Sequence, residues 1–192
     1  MDLKTVVILG SVRSGRQGIK AAHFIVNALK ERKHEVILVD PIEYNLPLLY
    51  KMYKSYEKGE APEVLEKLAK IFREADAFII VTAEYNHSPP PALVNLLDHF
   101  LEEYFFRPSA IVSYSGGGFG GARAASHLRD MLAELGMPAI PSSFAIPKIQ
   151  DALDENGKPL DEKMNKRVKK FLDELEWYAD ALKEARKKGV PY

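Results

Sequence analysis

The chain of 192 residues is long enough to form one sizeable hydrophobic core, and nothing in its length requires a second domain. Its 27 basic residues balance its 27 acidic residues, so the net charge favours neither nucleic acid nor an anionic membrane surface as a partner. The absence of cysteine excludes disulfides, thiolate nucleophiles and cysteine-ligated metal centres.

Short runs of β-branched and apolar residues predict the strands of the fold. The first, residues 5–10, follows an acidic start and is too short for a signal segment or a membrane span, so we expect a cytoplasmic protein with no membrane partner. The others are predicted at residues 35–40, 77–83 and 109–115, with a short fifth strand between Met137 and Ile146. The first four runs are apolar on successive residues, which is typical of parallel strands that helices cover on both faces.

Stretches of helical periodicity separate the strands. They cover residues 18–32, 62–74, 91–104 and 121–135. A long C-terminal helix is predicted over residues 160–188, where acidic residues open the helix and basic residues close it, as the helix dipole favours. The alternation predicts a single α/β domain over residues 1–192, with a doubly wound, five-stranded parallel sheet.

Ligands of doubly wound sheets bind beyond the carboxyl ends of the strands, which directs attention to the connecting loops. The first loop, GSVRSGRQG at residues 10–18, offers helix N-terminal amides and the side chains of Ser11, Arg13, Ser14 and Arg16. These donors suit a phosphate dianion. The loop matches neither a Walker sequence nor the dinucleotide fingerprint, and the alternative is a flexible glycine turn with solvated arginines.

The loop after the third strand, TAEYNHSPPP at residues 82–91, combines an aromatic ring with restrained backbone. Tyr85 suits packing against a flat ring, and the backbone amides of residues 85–88 are candidates for bonds to ring heteroatoms, because prolines 89–91 limit the freedom of this segment. The alternatives are that Tyr85 packs at the edge of the core and that His87 is an ordinary loop histidine. For His87 this alternative is favoured over a role in binding.

The loop after the fourth strand, SYSGGGFGG at residues 113–121, contains G-x-G-x-x-G by chance. That fingerprint belongs to the first βα unit and needs an acidic residue about 20 positions later, where this chain reads IPSSFAIP. The glycines instead allow backbone to approach the edge of a planar ligand. The three loops therefore predict a site for a phosphorylated ring compound such as FMN.

The motifs GSVRSGRQG, EYNHSPPPALVNLLD and SYSGGGFGGARAASHLRDMLAELGM resemble those of the NADPH-dependent FMN reductase family, whose flavodoxin-like members include azoreductases and quinone reductases. The resemblance implies a sheet of order 2-1-3-4-5 and a homodimer or homotetramer. It also implies three groups of FMN contacts. The phosphate group comprises Ser11, Arg13, Ser14, Arg16, Gln17 and Gly18; the ring group comprises Glu84, Tyr85, Asn86, His87 and Ser88; the pyrimidine-edge group comprises Ser115, Gly116, Gly117 and Gly118.

The leading functional hypothesis is an oxidoreductase with bound FMN that takes hydride from NADPH or NADH and passes electrons to a small acceptor, such as a flavin, quinone, azo compound or metal ion. No catalytic acid or nucleophile is expected, because FMN carries the chemistry. No metal is expected either, since the five histidines show no ligand spacing. The alternative is a flavodoxin-type electron carrier without NAD(P)H activity, which the neutral charge and the two loop arginines disfavour.

Two features near these loops leave their roles open. Tyr50, Tyr53 and Tyr56 follow one another at intervals of three, which fits either a cover over the acceptor pocket or an aromatic turn that packs on its own domain. Asn95 and Asp98 lie on one helical face after the prolines, and we expect both side chains to bond to the backbone of neighbouring loops.

Overall fold

The computed structural model describes residues 2–192 and contains a five-stranded sheet in the order β2-β1-β3-β4-β5. The strands are β1 (Lys4–Leu9), β2 (Glu35–Val39), β3 (Ala77–Ala83), β4 (Ser109–Tyr114) and β5 (Ala139–Ile146). All four neighbouring pairs run parallel. This order confirms the predicted doubly wound, flavodoxin-like sheet.

The helices follow the predicted pattern with two additions. They are α1 (Gly18–Glu31), α2 (Pro41–Tyr44), α3 (Glu63–Glu74), α4 (Pro91–Asp98), α5 (Ala122–Glu134), α6 (Ile149–Ala152) and α7 (Lys163–Lys187). The short helices α2 and α6 were not predicted. Within residues 2–192, no helix is both long enough and apolar enough to cross a membrane.

Two predicted helix boundaries are wrong, and side-chain contacts explain both. The helix expected over residues 91–104 ends at Asp98, because the buried Glu103 carboxylate accepts a hydrogen bond from the amide of Leu101 at 3.3 Å and draws the chain into a separate 3-10 turn. The C-terminal helix begins at Lys163 and not at 160, where the Asp161 carboxylate accepts the amide of Lys163 at 2.9 Å.

Helices cover the sheet on both faces, as predicted, and each face has its own apolar core. One core packs α1 and α7 against the sheet, and the other packs α3, α4 and α5 against the opposite face. Strand β3 lies in the middle of the sheet and is buried along its whole length. Because burial on both faces fixes β1, β3 and β4, the carboxyl ends of these three strands provide a rigid edge for the loops that follow.

The tyrosine segment that precedes α3 packs mainly on its own domain. The Tyr53 hydroxyl donates to Glu66 at 2.7 Å and its ring lies 5.8 Å from that of Phe100, while Tyr56 packs against the same core. Tyr50 is different, because it is 97% exposed. The interpretation as a packed aromatic turn therefore holds for two of the three tyrosines.

Asn95 fastens the start of this segment to α4. Its side chain donates to the Pro47 carbonyl and accepts the Leu49 amide, both at 2.8 Å. This confirms the expected bonding to neighbouring loop backbone. For Asp98 the expectation is wrong: no such bond is present in residues 2–192, and burial raises the pKa of its carboxyl group.

Candidate functional site

The loops that follow β1, β3 and β4 meet at the carboxyl edge of the sheet and enclose a cleft of about 290 Å³. Among the predicted contacts, the cleft is lined by Ser11, Arg13, Ser14, Arg16, Gln17, Glu84, Tyr85, Ser115 and Gly116. The others lie next to these residues in the chain without lining the cleft: Gly18, Asn86, His87, Ser88, Gly117 and Gly118. The structure therefore brings most of the predicted contacts to one cleft, and their binding of FMN stays a prediction.

The first loop presents donors that have no acceptor within residues 2–192. Helix α1 has no side-chain cap, and the amides of Ser14, Gly15 and Gln17 donate to no acceptor within residues 2–192. The Arg13 side chain is exposed and forms no ion pair or hydrogen bond there. Free amides at a helix N-terminus beside a free guanidinium are suited to a phosphate group.

Arg16 differs from Arg13, because its charge is already neutralised inside the protein. Its guanidinium forms a two-point ion pair with Asp40, with Nη1 at 2.6 Å from Oδ1, and Nη1 also donates to the Ser11 carbonyl at 2.7 Å. The side chains are only 14% and 6% exposed. Since Asp40 directly follows β2 and caps α2 through the Ile42 amide, Arg16 ties the loop to the sheet.

The side chains of Tyr85 and Tyr114 pack against the first loop. The hydroxyl groups of Ser11 and Tyr85 lie 2.8 Å apart, and Tyr85 packs against the core, which agrees with the core-edge interpretation of that residue. A Cβ at Gly18 would lie 2.2 Å from the hydroxyl oxygen of Tyr114, so only glycine fits there. Burial raises the pKa of Tyr114 to about 12, which keeps this hydroxyl neutral at physiological pH.

The motif EYNHS forms a tight turn of unusual backbone conformation. Asn86 and His87 have φ of 50° and 65°, and the amides of Tyr85 and Ser88 each donate to the other residue's carbonyl at 2.9 Å. This is the pattern of a type I′ turn. Of the four amides named as candidates for bonds to ring heteroatoms, those of Tyr85 and Ser88 are used in the turn, and those of Asn86 and His87 remain.

Glu84 joins this turn to helix α5. Its carboxylate accepts the amides of Arg123 at 3.0 Å and Ala124 at 3.2 Å, and lies 3.4 Å from the Arg123 guanidinium. Burial raises the pKa of Glu84, but these donors outweigh that effect and leave its pKa below the ordinary value. Glu84 thus acts as the cap of α5 and holds the second and third loops together.

The glycine loop after β4 is open on one side. A Cβ at Gly117 or Gly118 would meet nothing within 4 Å, and one at Gly116 would only touch the Gln150 side chain at 3.8 Å. None of the three has a φ in the left-handed region. Neither crowding nor backbone conformation thus requires glycine here, which fits a loop shaped for close contact with a ligand.

Five residues that line the cleft are not among the predicted contacts. Two of them are Gly15 and Ala83, and the other three are Tyr114, Ile149 and Gln150. Tyr114 is the last residue of β4, and the other two follow β5, where Gln150 donates to the Gly116 carbonyl at 3.3 Å. The fold prediction could have located the residues after β5, because the carboxyl end of β5 lies at the same edge of the sheet as the carboxyl ends of its neighbours.

A larger groove of about 810 Å³ lies between α1 and α7, away from these loops. Its arginine, Arg32, is paired with Asp173 at 2.9 Å and Glu176 at 2.6 Å, so the groove presents no free guanidinium. Residues 2–192 contain no group of three or more histidine or acidic side chains placed to share a metal ion. The cleft at the strand ends is therefore the better candidate.

Known proteins resemble this chain in sequence and in fold. It is 28% identical to an NADPH azoreductase of Bacillus sp. strain OY1-2, over 96% of this chain and 97% of that protein, and 31% identical to a 2-hydroxy-1,4-benzoquinone reductase of Burkholderia sp., over 94% and 98%. The fold matches the flavoenzyme NAD(P)H:(acceptor) oxidoreductase FerB of Paracoccus denitrificans with a TM-score of 0.72 and 23% identity, over 95% and 98%. Residues 3–151 match the family described as NADPH-dependent FMN reductase. The chain belongs to the NADPH-dependent FMN reductase family.

Proposed function

We propose that this protein is an NAD(P)H-dependent oxidoreductase that holds FMN in the cleft and reduces a small-molecule acceptor. The observation that carries the proposal is that two features lie at one edge of the sheet. The first loop has hydrogen-bond donors without acceptors, and the loop after β4 has glycines that neither crowding nor backbone conformation requires. A phosphate on a flexible chain attached to a planar ring matches these two features.

The phosphate of FMN would be held by Arg13, Ser14 and the free amides of the first loop, with Arg16 fixing the shape of the loop. The ring would lie toward the Asn86–His87 amides and the backbone of residues 115–118, because these are the polar groups and open surface that remain. When bound, FMN supplies the chemistry, since its ring accepts hydride from NAD(P)H and passes the electron pair to an acceptor. The protein contributes position and electrostatics.

The class of acceptor is proposed from the relatives. Their names specify azo compounds and quinones, which are planar and conjugated. The open side of the glycine loop suits such flat molecules, and both NADPH and NADH are candidate hydride donors. We also propose a cytoplasmic location, where these nicotinamides are available, and a single domain built on the one sheet.

A flavodoxin-type carrier is the competing function, and reduction by nicotinamide separates the two. The purified protein with FMN should oxidise NADPH or NADH when a quinone, an azo dye or free flavin is added. A matched preparation of the Arg13→Ala variant should need more FMN for the same rate. If the yellow colour of bound FMN persists for minutes in excess NADPH and NADH, the enzyme proposal fails.

We further propose self-association, which the family resemblance implied. The exposed apolar side chains of Val12, Ile42 and Leu48 line a groove of about 420 Å³ against α4. Such a patch suits an interface. Leu48→Glu should lower the mass measured by light scattering, whereas Leu160→Glu, an exposed leucine elsewhere, should not. A wild-type monomer with full activity at micromolar concentration would refute this.

A further inference from the structure

A second surface borders the cleft and is not used by the FMN contacts. It consists of Phe119, Arg123 and His127, which lie at the start of α5 and just before it, and is called the α5 rim. Phe119 is 70% exposed, which is costly for an apolar ring. The Arg123 guanidinium lies 4.6 Å from the centre of this ring and fixes its orientation.

Arg123 keeps most of its hydrogen-bonding capacity. Nη1 is its one side-chain nitrogen with an acceptor in residues 2–192, at a long 3.4 Å from Glu84. The Glu84 carboxylate is shared, because it also accepts two backbone amides of α5. With the side chain 43% exposed, the Nε and Nη2 donors face solvent.

His127 extends the rim by one helical turn toward the EYNHS turn. Its Nδ1 lies 3.5 Å from the hydroxyl oxygen of Ser88, and the ring is exposed. The rim therefore adjoins the cleft at Glu84, and His127 lies beside the EYNHS turn. Arg123 therefore contacts a residue that lines the cleft, and Phe119 contacts Arg123.

We propose that the α5 rim binds the part of a co-substrate in which an aromatic ring carries an anionic group. The ring stacks on the free face of Phe119, and the anion pairs with Arg123. Two co-substrates of the proposed function have this chemistry: NADPH, through its adenine and 2′-phosphate, and anionic aromatic acceptors such as sulfonated quinones. This inference rests on the proposed function, and it assigns Arg123 and Phe119 to specificity and not to the hydride chemistry.

Matched pairs of substrates test the proposal, because each pair differs by a single charged group. The value of kcat/KM is measured for NADPH against NADH, and for 1,4-naphthoquinone-2-sulfonate against 1,4-naphthoquinone. Arg123→Gln should lower the charged-to-uncharged ratio about tenfold in one pair or in both, and the affected pair identifies the source of the anion. Arg123→Lys should restore part of the ratio, and Phe119→Ala should lower kcat/KM for both members of the affected pair.

A control and a binding measurement separate this inference from the proposed function. Trp177→Ala removes another exposed aromatic ring, on α7, and should change no ratio. Calorimetric titration with adenosine 2′,5′-bisphosphate and with the sulfonated quinone requires no turnover, and Arg123→Gln should weaken at least one of them. If both ratios and both affinities of Arg123→Gln equal those of the wild type, the inference is wrong, while NAD(P)H oxidation by the wild type still supports the proposed function.

Discussion

Arg13 and Arg16 lie three residues apart in one loop. The structure predicts that replacing Arg16 mainly lowers stability and that replacing Arg13 mainly weakens FMN binding. Arg16→Ala leaves the buried Asp40 carboxylate without its ion pair, and stranding one partner of a buried pair costs about 3–5 kcal/mol of folding free energy. Arg13→Ala removes an exposed side chain without a partner, so stability should change by less than about 0.5 kcal/mol.

For the affinity for FMN, the order of the two variants is reversed. Loss of the free guanidinium should remove a charge-assisted bond of about 1.5–3 kcal/mol, so Arg13→Ala should raise the Kd for FMN about 10- to 150-fold. Arg16→Ala should raise it less, and only through disorder of the loop. Urea unfolding of the flavin-free protein measures the first effect, and quenching of FMN fluorescence measures the second.

The double variant Arg16→Ala with Asp40→Asn provides the control. It removes the stranded charge and keeps an N-cap side chain for α2, and should recover a large part of the lost stability. If Arg16→Ala binds FMN more weakly than Arg13→Ala and unfolds at the wild-type urea concentration, then Arg16 is the phosphate ligand and the reasoning from the ion pair is refuted.

Three further predictions concern two glycines, the Glu84 carboxylate and the kinetic order of the two substrates. Gly117→Ala should weaken FMN binding without loss of stability, because its Cβ meets only open space, whereas Gly18→Ala should destabilise the protein by about 1–3 kcal/mol through its clash with Tyr114; equal stability losses in urea would contradict this. Glu84 has a lowered pKa when folded, so its stabilising effect should be complete above its ordinary value of 4.5 and disappear as pH falls through the lower folded value. Unfolding curves of wild type and Glu84→Gln should therefore differ at pH 7 and converge in acid, and a constant difference would contradict the assignment. Steady-state rates with NAD(P)H and a quinone should give parallel double-reciprocal plots, as expected for two substrates that use one site in turn, and intersecting lines would exclude it.

The sheet could be predicted because its information is local. Runs such as AFIIVTA are apolar on successive residues, which identifies strands buried on both faces, and the helical stretches between them require parallel crossovers. The loops were located by the same logic, since the carboxyl ends of parallel strands share one edge.

The remaining details depend on contacts between distant residues, which no local pattern encodes. Arg16 and Asp40 are separated by a helix and a strand, and nothing in GSVRSGRQG distinguishes a guanidinium that will be buried from one that stays free. Likewise, the end of α4 at Asp98 depends on Glu103. The Glu103 Oε1 atom lies 2.6 Å from Nη2 of Arg73, which belongs to α3. Propensity alone favours a continuous helix there.

The Arg16–Asp40 ion pair also determines how the site assembles. Arg16 binds both the Ser11 carbonyl and Asp40, so the protein's own side chains order the first loop. If this loop holds the FMN phosphate as proposed, association avoids the entropy loss of ordering a flexible segment, about 1–2 kcal/mol for each residue that would otherwise have to be fixed.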